Sequence, residues 1–93
     1  MGVAYKPGVG DVRETPASAL RAALEARGAE VAWIDPLVPL WEGTKPVNES
    51  WDCDVAIVAT NQPGLYVNSL LARGIPVLDC TNNYGSLNGV KLL

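Results

Sequence analysis

Between Lys6 and Arg13 the chain sets a lysine, two glycines, an aspartate and an arginine in one short stretch, Lys6-Pro7-Gly8-Val9-Gly10-Asp11-Val12-Arg13. Those residue types suit anion recognition. Two cations flanking a Gly-punctuated turn can receive a phosphate or pyrophosphate, and each charge-assisted hydrogen bond of that kind is worth roughly 1.5 to 3 kcal/mol. Gly8 and Gly10 ahead of a helix suggest a phosphate cradle. The dinucleotide fingerprint, however, wants a third glycine at the sixth position, where Arg13 stands, and no Walker lysine pattern exists. The glycines therefore read as turn residues or as phosphate contacts. Arg13 likewise has two readings, a phosphate ligand or a structural partner of Asp11 two residues before it.

The rest of the composition narrows the chemistry. There is no histidine, so the commonest general base and the commonest metal ligand are both missing. A net charge of -3 and a pI near 4.7 lack the basic surplus that nucleic-acid binding needs, so no nucleic-acid partner is expected. Cys53 and Cys80 form neither a zinc pattern nor a dense disulfide framework, which points to a reducing, cytoplasmic setting. No apolar run reaches the roughly 18 residues that cross a bilayer, and no charged-then-apolar leader opens the chain, so a soluble protein without a membrane partner is expected. Ninety-three residues, 48% of them hydrophobic, suffice for one core, and a single domain over residues 1–93 follows.

The elements that must position the loop can be read from periodicity. Residues 3–5 read as the end of a strand. Thr15 caps a helix with Pro16 at its first position and Ala19, Leu20, Ala23 and Leu24 at helical spacing, stopped at Arg27-Gly28. Residues 30–34 read as a second strand ended by Asp35-Pro36. Little periodicity follows up to position 50, where Pro36, Pro39, Pro46 and Gly43 predict an irregular connection. The apolar run 54–60 predicts a central parallel strand buried on both faces. Pro63 opens a second helix whose Leu65, Tyr66, Leu70 and Leu71 face the sheet, and residues 75–79 form a further strand, followed by a turn-rich loop over 81–85 and room for one more short element. This order predicts an α/β fold, a Rossmann-like three-layer α/β/α arrangement with a mostly parallel sheet, its first strand central and truncated. Ligands of such sheets collect outside the carboxyl ends of the strands, here residues 5–13, Asp35, 60–62 and 79–83.

At that first loop the sequence resembles a known family. Gly2-Val3-Ala4-Tyr5-Lys6 followed by Asp11-Val12-Arg13-Glu14-Thr15-Pro16-Ala17 is similar to the motif that opens the C-terminal, UDP-binding domain of the UDP-glucose/GDP-mannose dehydrogenase family, G-x-[AS]-[FY]-K and then D-x-R-[ED]-[ST]-P-A. Gly28-Ala29-Glu30-Val31 leading to Asp35-Pro36, the stretch 52–60, and Pro76-Val77-Leu78-Asp79 agree in order. The resemblance implies a parent enzyme with an N-terminal NAD-binding domain, a helical middle segment that forms the dimer, and this domain, which holds the nucleotide of the sugar. Such enzymes oxidise the sugar C6 alcohol of a UDP- or GDP-sugar to a uronate with two NAD, through a thioester on a cysteine upstream of this domain. NAD thus belongs to the parent enzyme and no cofactor to this domain.

By the same resemblance Tyr5 and Lys6 touch the base and the ribose or phosphate, with Arg13 beside them. An aromatic at a strand's carboxyl end can stack a pyrimidine, and a lysine can neutralise phosphate; alternatively Tyr5 is a core aromatic with its hydroxyl at the rim. Neither cysteine matches the nucleophile motif, so Cys53 reads as a small buried residue and Cys80 as a thiol at a loop end. The family pattern carries an arginine where Thr81 stands, and Thr81 cannot supply that charge. A second reading therefore stands beside nucleotide binding, that of a degenerate interaction or oligomerisation module of the same fold. A third, an NAD-binding fragment, is opposed by the missing glycine. Finally, the family's first strand begins several apolar residues before Gly2, so a central strand this short predicts marginal stability and a gap open to another strand.

Overall fold

The computed structural model describes residues 1–48, 50–81 and, for the backbone, 90–92. Two helices, α1 (Pro16–Ala26) and α2 (Asn68–Ala72), and three strands, β1 (Ala56–Val58), β2 (Val77–Asp79) and β3 (Val90–Leu92), make an α/β fold. The strands form one parallel sheet in the order β1-β2-β3, with Ala56 opposite Val77 and Val77 opposite Val90. β3 occupies the room left for a last short element. The loop expected over 81–85 lies, beyond Thr81, outside the described residues.

α1 forms where capping and periodicity place it. Thr15 stands at the N-cap in extended conformation and its hydroxyl accepts from Ala17 N–H at 3.3 Å, while Pro16 fills the position whose N–H needs no partner. The second helix is shorter than expected. Gly64 sits at φ +84 in a turn after Pro63, a left-handed backbone that no helix accommodates, so α2 begins only at Asn68. Leu65 and Leu70 are buried and Leu71 is half-buried, but Tyr66 lies between the turn and α2 and is exposed.

Two expected strands are not regular strands. Residues 30–34 and 3–5 run without a β ladder. The reason is visible in the hydrogen bonds of the chain start. Met1 donates to Ile57 O at 2.7 Å and accepts from Ala59 N–H at 2.9 Å, while Gly2 donates to Ile34 O at 2.9 Å on the opposite side. The chain start is thus bonded to the 30–34 segment on one side and to β1 and its continuation on the other. Two residues are too few to build a ladder with either neighbour. For the same reason β1 is confined to three residues of the 54–60 run, and Val55 is 53% exposed instead of buried.

The apolar side chains gather in two clusters. One joins Val3 and Ala4 to Ala17 of α1 and to Trp33, Val38 and Trp41; the other joins β1 and β2 to Val67, Leu70 and Ile75. Trp33 and Trp41 meet edge to face with centroids 5.7 Å apart, and Trp33 Nε1 donates to Thr44 Oγ1 at 2.9 Å, so the indole is buried with its polar atom satisfied. The irregular connection is pinned by a tight hairpin. Trp41 and Thr44 exchange backbone hydrogen bonds across Glu42 and Gly43, both with positive φ, the twist that suits a two-residue turn. Arg21 of α1 lies over the Trp41 ring at 5.2 Å, which ties the helix to this hairpin.

Candidate functional site

Three loops meet outside the carboxyl ends of the 1–4 segment, the 30–34 segment and β1, and they are cross-bonded. Asp35 is 4% exposed, and its Oδ2 accepts from Val3 N–H at 2.9 Å and Ala4 N–H at 3.3 Å while Oδ1 accepts from Leu37 N–H at 2.9 Å. A buried carboxylate is tolerated only with its lone pairs satisfied, and here backbone N–H groups satisfy them. From β1's side, Thr60 Oγ1 donates to Ala4 O at 2.9 Å. Gln62, 2% exposed, donates through Nε2 to Val9 O at 2.7 Å and to Asp35 Oδ2 at 3.1 Å, and accepts from Gly8 N–H at 2.8 Å. Tyr5 N–H closes the loop onto Asp11 O at 2.7 Å. Gly10 completes the packing, since a Cβ there would stand 2.6 Å from Leu37 O.

On this fixed backbone the three residues singled out from the sequence all face solvent. Tyr5 is 58% exposed, and Lys6, next to it in the chain, is exposed as well. Tyr5 is therefore not a core aromatic. Arg13 is exposed as well, but its guanidinium is engaged, with Nε on Asp11 Oδ1 at 3.1 Å and Nη2 on Asp11 Oδ2 at 3.0 Å. Those hydrogen bonds hold the Asp11 carboxyl down at about 2 and push Arg13 up. Gly8 takes φ +81 and aims its N–H inward at Gln62, so it serves the turn and not a ligand.

Tyr5 also borders a cavity of about 200 Å³ with the α1 start (Thr15, Pro16), Thr60 and Cys80. That is below the roughly 300 to 1,000 Å³ that encloses a drug-sized ligand. A larger cavity of about 430 Å³ lies between the 28–34 and 51–57 segments beneath Leu20 and Leu24; none of Tyr5, Lys6 and Arg13 reaches it. Met1 and Gly2 line it, and it is remote from the loop cations.

At the end of β2, Thr81 folds back, its N–H and Oγ1 both donating to Asp79 Oδ1 at 2.7 and 2.6 Å. Thr81 itself carries no charge. Cys80 is exposed, and burial of its sulfur with the nearby Asp79 charge pushes the thiol pKa up, away from a reactive thiolate. Cys53 is half-buried beside the second cluster. The Asp35–Gln62 pair is what reading the sequence did not find. Asp35-Pro36 carries a local signal, because Asp at a strand end makes a turn onto the residue two ahead, but nothing local marks Gln62.

The architecture is that of a small α/β domain whose exposed Tyr5 and Lys6 lie in the loop that follows its first segment. The sequence model of the UDP-glucose/GDP-mannose dehydrogenase family, UDP binding domain, matches residues 1–84, and the chain belongs to that family. Comparison with curated proteins and with solved structures gives no match. Among the described residues no helix is long and apolar enough to cross a membrane.

Proposed function

We propose that this domain binds the nucleotide of a nucleotide sugar, with Tyr5 against the base, Lys6 on the ribose-phosphate part and Arg13 recruited from Asp11 when phosphate arrives. The observation that carries the reading is the exposure of Tyr5 and Lys6 side by side on a backbone held rigid from below, within the stretch that the family shares. Rigidity matters because a loop already ordered loses little entropy on binding. The domain then acts within a cytoplasmic, homo-oligomeric enzyme in which NAD oxidises the C6 alcohol of a UDP- or GDP-sugar to a uronate. NAD itself does not suit this loop: Gly8 N–H is spent on Gln62, and Arg13 replaces the last glycine of the dinucleotide turn. The fold reading extends to a three-layer, Rossmann-like domain with a central first strand, supported by the hydrogen bonds on both sides of Met1-Gly2.

A second reading, a non-catalytic interaction module, is favoured by the uncharged Thr81 turned onto Asp79. Titration of the isotope-labelled protein with UDP separates the two. Saturable shifts centred on Tyr5 and Lys6 support nucleotide binding; no shifts, together with stable self-association, support the module.

A further inference from the structure

Gln62 is 2% exposed, and its amide is committed at both ends, to the Gly8-Val9 turn and to Asp35. Its amide reaches both faces of the Gly8-Val9 turn, taking the Gly8 N–H at 2.8 Å and giving to Val9 O at 2.7 Å. The same Nε2 rests on Asp35 Oδ2 at 3.1 Å, and Asp35 holds Val3 and Ala4, the residues leading into Tyr5. One amide therefore ties the far side of the loop to the carboxylate that holds its near side, and Lys6 lies on the span between them. The two halves of the loop differ in their anchoring. The Ala4-Tyr5 side is held by Asp35, Thr60 and Asp11 O, whereas the Gly8-Val9 side is held by Gln62. Only an amide of this length does this, because the turn presents a donor and an acceptor together and the anchor below is an acceptor.

We propose that Gln62 is a positioning residue, which through Asp35 sets the Gly8-Val9 turn and with it the place of the Lys6 ammonium, and so determines affinity for the diphosphate part of the ligand and not for the base. This rests on the nucleotide-binding reading above. The direct consequence is a separation of two affinities. Loosening the turn moves the lysine away from phosphate, while Tyr5, anchored by other bonds, still meets the base.

The test uses Gln62→Met, which keeps the length and volume of the side chain and removes its hydrogen bonds. Wild type and variant are titrated with UDP and with uridine, and amide exchange at Gly8 is followed by NMR. UDP affinity is expected to fall about tenfold, the equivalent of one well-made contact to a charged group, with uridine affinity unchanged within about twofold. Gly8 exchange is expected to speed up by at least about tenfold as its acceptor is lost. A merely structural role would weaken UDP and uridine together, and that outcome, or a variant that binds UDP as wild type does, overturns the inference. Should Gln62→Met not fold, Gln62→Asn, which keeps the amide but is too short to bridge, carries the same comparison. Failure of wild type to bind UDP strikes instead at the nucleotide reading, and the two failures are thereby told apart.

Discussion

Arg13 closes on Asp11 through two parallel hydrogen bonds, Nε to Oδ1 at 3.1 Å and Nη2 to Oδ2 at 3.0 Å, and its own backbone N–H donates to the same Oδ1 at 2.9 Å. The pair stands in solvent, so its net effect on folding is small, but it decides what Arg13 can offer a ligand. The carboxyl is expected to titrate in the native protein near 2. Its pKa is depressed relative to the ordinary value of about 3.9, so the stability it adds is present above that value and is lost as pH falls through 2. A carboxyl-carbon NMR titration checks this, and Arg13→Ala should return the midpoint toward about 3.9. A native midpoint already at the ordinary value would mean that the pair does not form.

The exposed face of the loop makes separate demands on Tyr5 and Lys6. Lys6→Ala should weaken UDP binding by roughly 1 to 3 kcal/mol, the worth of one charge-assisted contact, without changing the melting temperature, because the side chain supports nothing beneath it. Tyr5→Ala should cost about 1 to 3 kcal/mol for both UDP and uridine, and Tyr5→Phe almost nothing, if the ring stacks the base. Calorimetric titration reads all three. Equal loss in the Phe variant would place the hydroxyl, not the ring, at the ligand.

Gly2 is the residue on which the base of the loop turns. Its φ is +78 and a Cβ would stand 1.9 Å from Thr60 O, with only backbone to yield. Gly2→Ala is therefore expected to destabilise by about 2 kcal/mol or more, from left-handed strain together with the clash. Gly28→Ala, also at positive φ but with nothing within 4 Å, should lose only about 1 kcal/mol. Urea unfolding of the two variants gives the comparison, and equal losses would show that the close approach to Thr60 is not maintained.

The gap beside Met1 predicts a gain. Four or five apolar residues placed before Met1 can run between the 28–34 and 51–57 segments, cover the half-exposed Val55 and fill part of the 430 Å³ cavity. Tm should rise. In the 93-residue chain the buried Met1 amine, lowered by that burial from 8.0 to about 6, favours the neutral form. Between those values the unfolded chain binds more protons, so stability should climb from pH 6 to pH 8, and the added residues should flatten that slope. Thermal unfolding at several pH values checks both effects. An extended chain that melts no higher would show that the first strand does not run through this space.

What could be read without coordinates is what depends on near neighbours in the chain. Thr15-Pro16 and the Ala/Leu spacing specify α1 by themselves, because a cap and a helical stripe are local; the loop with Tyr5, Lys6 and Arg13, and Arg13's option of pairing with Asp11, are contained within nine residues. The strands were less legible. The 30–34 run has strand residues but no ladder, since a ladder belongs to two segments, and the segment beside it contributes only Met1 and Gly2. Likewise no pattern around position 62 announces a buried amide, because the three groups it satisfies, on Gly8, Val9 and Asp35, lie far off along the chain and come together only when three loops converge. Composition and spacing thus determined the kind of loop this protein carries. Tertiary packing decided which of its groups are spent holding the loop in place and which are left facing outward, for a hydrogen bond between distant residues has no counterpart in local sequence.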